Sequence, residues 1–256
     1  MKIGYMIIFL FMAVMQLNEI SLFAQDVGGL RMPIPKITFD ITEATTPKDV
    51  ALSLQVLFLL TILTLAPSII MMMTAFTRVV IVLDFIKRAL TLQQMPPNQI
   101  IVGLAIFITI FIMSPTLIEI NDKALQPYMN GKISNDEFFN RGMQPLREFM
   151  LKHTRNKDIA LFIELAKLEK PKNEEDVPTY CLIPAFMICE LKRAFEMGVY
   201  IFIPFMVIDI IVASTLMAMG MIMLPPVMIS LPFKLILFVL VDGWNILVYE
   251  LVRSFR

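Results

Sequence analysis

Three stretches of this chain carry no charged side chain over lengths that match a lipid bilayer. Residues 50–77 run for 28 positions without Asp, Glu, Lys or Arg, residues 89–118 for 30, and residues 210–233 for 24. A helix rises about 1.5 Å per residue, so about 20 apolar residues cross the roughly 30 Å hydrocarbon core. Composition agrees: hydrophobic residues are 57% of the sequence and charged residues 17%, below the about 25% of an ordinary soluble domain. With 22 basic residues against 22 acidic, the net charge is zero. No basic surplus is left for a phosphate backbone, which argues against nucleic acid as a partner.

The N-terminus reads as a signal peptide over residues 1–24, with an uncleaved anchor as the alternative. Lys2 precedes an apolar run over residues 3–15 that is too short to span, then a polar stretch with Gln16, Asn18 and Glu19, and Ala24 is the expected cleavage position. Residues 25–49 lack periodicity and carry Gly28, Gly29, Pro33, Pro35 and Pro47, so they read as an extended arm. Residues 50–120 read as a first helical hairpin. Its first helix covers about residues 50–73 with a kink at Pro67, and its second starts at Pro96 and Pro97 with a body over residues 100–118. Arg78, Asp84, Lys87 and Arg88 form the charged tip, with Asp84 and Arg88 spaced to pair at i,i+4.

Residues 121–178 are of another kind, holding 10 Lys/Arg and 10 Asp/Glu. They read as a charged helical domain, outside the cytoplasm if the leader is removed. Ser134 and Glu137 have capping-box spacing ahead of Phe138, Phe139, Met143, Leu146, Phe149 and Met150, whose three-to-four spacing is that of an amphipathic helix. A second helix is expected over residues 158–168, stopped at Pro171. Residues 179–256 read as a second hairpin whose apolar segments are interrupted by Asp209, Lys234 and Asp242 and whose turn is marked by Gly220, Pro225 and Pro226.

Prolines 67, 115, 184, 204, 225, 226 and 232 lie in or beside apolar segments. Breaks at such depth are tolerated only where protein or a cavity satisfies the freed backbone groups, so the chain is expected to work inside a larger assembly. Loop charge leaves the orientation open, because a cleaved leader puts the Arg78, Lys87 and Arg88 tip inside but Arg253 and Arg256 outside. The fold class expected is all-α and membrane-associated, two broken helical hairpins with an inserted helical periplasmic domain.

Residues that could carry chemistry are sparse. The single histidine, His153, sits beside Lys152 and Arg155 and reads as a solvated surface residue, with a ligand or base as the alternative. No His, Cys and carboxylate cluster has metal-ligand spacing and no Gly-rich loop could cradle a phosphate, so an enzyme is not expected and neither is a cofactor or metal. Cys181 and Cys189, about 12 Å apart along a helix, are too far apart for a disulfide. A carboxylate within an apolar segment is costly unless paired or wet. Asp209 and Asp242 are therefore either structural ion pairs or caps, or a proton or ion relay in a secondary transporter or channel. Glu190 and Arg193 at i,i+3, with Lys192 and Glu196 at i,i+4, make either a solvated ladder or a set of pairs between subunits. Met221, Ile222 and Met223 follow Gly220 at a helix break, where flexible thioethers fill a core or form a deformable seal.

The run Pro184-Ala185-Phe186-Met187-Ile188-Cys189-Glu190-Leu191-Lys192-Arg193-Ala194-Phe195-Glu196-Met197-Gly198 resembles the first signature of the FliP/SctR family of type III secretion export-gate proteins. Pro204-Phe205-Met206-Val207-Ile208-Asp209-Ile210-Ile211-Val212-Ala213-Ser214 is similar to its second signature. Residues 78–97 and 219–244 also resemble the family, so the likeness runs from about residue 50 to the end. It implies a core subunit of the flagellar export gate, about five copies with FliQ and FliR homologues, adjoined by FlhB and FlhA homologues. That gate would sit in the bacterial inner membrane and on its periplasmic side, in the flagellar basal body. Unfolded rod, hook and filament proteins would pass through a channel narrowed at Met221, Ile222 and Met223. Glu190, Lys192, Arg193, Glu196, Asp209 and Asp242 would be intersubunit or structural charges. Two departures stand out: Cys189 where the family more often has a hydroxyl residue, and the stiffer Ile222 inside what is otherwise a run of three methionines.

Overall fold

The computed structural model describes residues 47–92, 96–171, 173–221 and 223–255. The expected signal peptide, the expected arm as far as residue 46 and Ile222 lie outside the described residues. The packing below is that of the unit Ser53–Arg256. Every regular element among the described residues is helical.

Helix α1 covers Pro47–Met72, with Pro47 in the first-turn position that tolerates a missing N–H, and it continues through Pro67. Its threonines turn inward on the backbone: Thr61 Oγ1 donates to the Leu57 carbonyl at 2.8 Å and Thr64 Oγ1 to that of Thr61 at 2.8 Å. Its large apolar side chains from Leu54 to Met72 stand exposed. Such a face needs lipid or another protein against it.

Helix α2, Phe76–Ala89, buries Val79, Val82, Leu83, Ile86 and Ala89 at three-to-four spacing. It stops in a Schellman turn, with Leu92 N–H bonded to the Lys87 carbonyl at 3.1 Å and Thr91 N–H to that of Arg88 at 2.9 Å. The left-handed position falls on Thr91, φ 56°, an unusual place for a β-branched residue.

Helix α3, Asn98–Ile120, starts behind Pro97. It does not stop where the charges begin. A π-helical turn, Asn121–Leu125, carries it into α4, Gln126–Met129. Pro127 has no N–H to return to the Lys123 carbonyl, so the regular register fails there.

In the charged segment, α5 covers Asn135–His153 and opens with a complete capping box, Glu137 N–H on Ser134 Oγ and Ser134 N–H on Glu137 Oε2, both 3.3 Å. Helix α6 follows at Asn156–Leu165. A short 3₁₀ turn, Glu174–Asp176, leads to α7, Thr179–Ala218, forty residues through Pro184 and Pro204. Cys181 and Cys189 on α7 are buried free thiols.

Helix α7 is the spine. Helices α2, α5, α6 and α8 all pack along it. It meets α2 tightly at Gly198, where a Cβ would fall 2.5 Å from the Phe85 ring. Phe85 also meets Phe195 and Phe202 edge-on, at 5.4 and 5.8 Å between centroids. After the turn come α8, Pro226–Leu240, and α9, Gly243–Arg253, bent by 64° from each other. Asp242 supplies the left-handed corner at φ 52°, and the Phe238 ring occupies the space a Cβ on Gly243 would need, 2.2 Å away.

Among the described residues, three helices are long and apolar enough to cross a membrane: Leu54–Met72, Asn98–Met129 and Thr179–Ala218. The bent pair Pro226–Leu240 and Gly243–Arg253 would add a fourth if it acts as one span.

Candidate functional site

Among the described residues, buried charged side chains form two clusters, one at each end of α2. At its start, Arg78 lies in the first turn of the helix and is 1% exposed, against Glu190 of α7 at 0%. The guanidinium and carboxylate meet fork to fork. Nε donates to Oε2 at 2.8 Å and Nη2 donates to Oε1. The third nitrogen, Nη1, donates to the Ser254 carbonyl at 3.1 Å and to its hydroxyl at 2.8 Å, and Cζ lies 3.6 Å from the centre of the Phe255 ring. Burial pulls the guanidinium below its ordinary range, and the hydrogen bond and negative charge of Glu190 pull it back. Removing both charges from water is costly, and geometry of this quality is what offsets that cost.

At the other end, Lys234 of α8 is 1% exposed. Its ammonium donates to Asp209 Oδ2 of α7 at 2.7 Å and to the Ala89 carbonyl, the last of α2, at 3.3 Å. Ser230, one turn before Lys234, donates its hydroxyl to Asp209 Oδ1 at 2.5 Å. Asp209 itself is 34% exposed, so the pair is dry at the lysine and half-wet at the carboxylate.

The expected site residues divide as follows. Arg78 does not stand at a hairpin tip with Asp84, Lys87 and Arg88; its partner Glu190 on α7 draws it into the interior. The other three are at the surface end of α2, where Arg88 pairs with Asp84 at 2.6 Å and Lys87 donates to Asn98 Oδ1 at 2.7 Å. Glu190 also faces Arg193 at 3.7 Å. Glu196 meets Arg155, 3.3 Å away between α5 and α6, rather than Lys192, which is exposed. Asp242 is outside both clusters and receives a hydrogen bond from Asn245.

His153 is not a solvated surface residue. It is 6% exposed, held between the Phe149 and Phe255 rings at 4.5 and 5.4 Å, because the C-terminal residues fold back over the end of α5. Sequence reasoning also missed Ser230, Ser254 and Phe255, whose partners are far away in the chain. A usable signal existed for Lys234 alone, the single cation between two apolar runs.

Gly220 ends α7 in the left-handed conformation, φ 75°, with Met221 N–H on the Leu216 carbonyl at 3.0 Å and Gly220 N–H on that of Met217 at 3.0 Å. The loop to Pro225 carries Met221, exposed, and Met223, 98% exposed. Pro226 begins α8. Among the described residues no group of three or more His, Cys, Asp or Glu could hold a metal ion.

The sequence profile of the FliP family matches residues 59–251. The flagellar biosynthetic protein FliP of Bacillus subtilis is 54% identical over 216 residues, which is 84% of this chain and 98% of that protein. Its counterpart in Borreliella burgdorferi is 54% identical over 234 residues, 90% of each chain, and that of Aquifex aeolicus 44% over 241 residues, 93% and 99%. With a match of this extent, built on the helices that hold both buried charge clusters, the chain belongs to the FliP family.

Proposed function

We propose that this protein is a core subunit of the flagellar type III secretion export gate, with the loop from Gly220 to Pro225 as the constriction of a protein-conducting pore. The observation that carries the reading is the family match over most of the chain, to relatives named for flagellar biosynthesis. Three features of the molecule support it. Its long apolar helices are exposed along much of their length, as expected of a subunit whose helices are covered by neighbours and lipid. Its buried charges are engaged within the chain and serve packing. Its thioethers at Met221 and Met223 extend from a loop with little contact of its own, able to seal around a strand and yield to it.

In this reading about five copies assemble with FliQ and FliR homologues, FlhB and FlhA homologues adjoin, and unfolded rod, hook and filament proteins pass through. Residues 121–178 lie on the periplasmic side of the inner membrane, and residues 1–24 are removed. No step requires a catalytic group. The competing reading, a transporter or proton channel using Asp209 and Asp242, fares less well because Asp209 is bound by Lys234 and Ser230 while Asp242 bonds Asn245 at a helix corner.

The test is membrane permeability. Met221→Ala with Met223→Ala should leak small ions while the complex still assembles. Unchanged permeability in an assembled complex would remove the loop from the gate.

A further inference from the structure

His153 closes α5 with both ring nitrogens against backbone carbonyls. Nδ1 is 2.7 Å from the Phe149 oxygen and Nε2 is 3.2 Å from the Phe255 oxygen. A carbonyl has no proton to give, and a neutral imidazole carries one N–H, so only the doubly protonated ring can donate to both. We propose that His153 is a pH-sensitive latch for the C-terminal segment, closed when the imidazole is doubly protonated and loosened when it is neutral.

The surroundings define what the latch holds. Phe255 is fixed by the ring of His153, by Phe149 stacked at 6.2 Å, and by the Arg78 guanidinium over its face. Ser254, the preceding residue, accepts from Arg78 Nη1 through both its carbonyl and its hydroxyl. The same two residues therefore join the end of α5 to the ion pair between α2 and α7. Losing the Nε2 bond to the Phe255 carbonyl loosens the segment that completes the hydrogen bonding of Arg78.

The charged and titratable groups around the latch lie on α2 and α7. From α2 there is Arg78, reached across the Phe255 ring. From α7 come Cys189, whose thiol donates to the His153 carbonyl at 3.4 Å, and Glu190, which is bound by Arg78 and lies 3.7 Å from Arg193. Arg155, two residues on, is turned away to Glu196. The cluster's carboxylate is thus committed to the arginines, and what the two ring nitrogens meet directly is a pair of carbonyl oxygens. Imidazole is the side chain whose ordinary titration falls between pH 5 and 8. The sign follows from the bond count: the latch is complete on the acid side and loses one hydrogen bond as pH rises.

His153 is the only histidine in the sequence, which makes the test unambiguous when the affinity tag contains none. The full-length protein, solubilised with its partners and labelled with ¹⁵N-histidine, is followed by NMR from pH 5 to 8. Hydrogen exchange of peptides covering residues 245–255 is measured alongside, corrected for intrinsic rates. The expected result is a ring protonated on both nitrogens at pH 5.5, with C-terminal amides about five- to tenfold better protected there than at pH 8, the effect of one hydrogen bond. His153→Gln should abolish that pH dependence. A ring that stays neutral across the range, or equal protection at both pH values in the wild type, overturns the proposal, and neither result needs a variant that folds. Persistence of the pH dependence in His153→Gln overturns it as well. The readouts do not depend on secretion and stand apart from the gate reading.

Discussion

Arg78 and Glu190, 112 residues apart in sequence, are joined fork to fork in the interior, so the start of α2 is fastened to the first third of α7 by two charge-assisted hydrogen bonds. Removing one partner leaves a buried charge with no counter-charge. Glu190→Ala should cost about 3–5 kcal/mol and reduce the amount of assembled complex. The apolar pair Arg78→Leu with Glu190→Leu should recover part of the loss, limited by the orphaned Ser254 carbonyl. Thermal unfolding in detergent checks this; a single variant as stable as wild type contradicts it.

Lys234 and Asp209 should respond unequally. The lysine is sealed and the aspartate is a third exposed, so Asp209→Ala strands a dry ammonium whereas Lys234→Met leaves a carboxylate that water can reach. The aspartate variant is expected to be the less stable by about 1–3 kcal/mol, the cost of a buried group without its partner. Equal melting temperatures for the two would count against the asymmetry.

These pairs mark the limit of what the sequence discloses. The apolar helices are legible because a charge-free run of bilayer length is a local pattern, and the Ser134 and Glu137 capping box because its partners are three residues apart. The interior position of Arg78 is not, since a cation after an apolar run looks like a loop charge until its acid arrives 112 residues later. His153 was hidden in the same way: its neighbours Lys152 and Arg155 suggest solvent, while the carbonyl that engages it lies 102 residues downstream. The continuation of α3 into α4 was masked by the charges at Asp122 and Lys123, which change the solvent around a helix without ending it.

At Gly198 the Phe85 ring leaves no room for a methyl group. Gly198→Ala should destabilise by about 1–3 kcal/mol through overpacking, and Phe85→Leu should suppress part of that. Additive effects in the double variant would show that the two do not share the contact.

Thr91 holds a left-handed conformation that a β-branched residue adopts poorly. Thr91→Gly should stabilise the protein by up to about 1 kcal/mol in thermal unfolding, glycine's larger unfolded-state entropy being outweighed by the relief of strain. A lower melting temperature would mean that the Thr91 side chain contributes more than its backbone costs.

The most direct test of the gate is a photo-crosslinker placed at Met223 in cells secreting a substrate with a stably folded C-terminal plug. Crosslinks between residue 223 and the unfolded part of the stalled substrate are expected, and none from an exposed position on α1 such as Phe58. A crosslinker at residue 223 that captures no substrate while the complex is assembled and stalled would contradict the placement of this loop in the conduit.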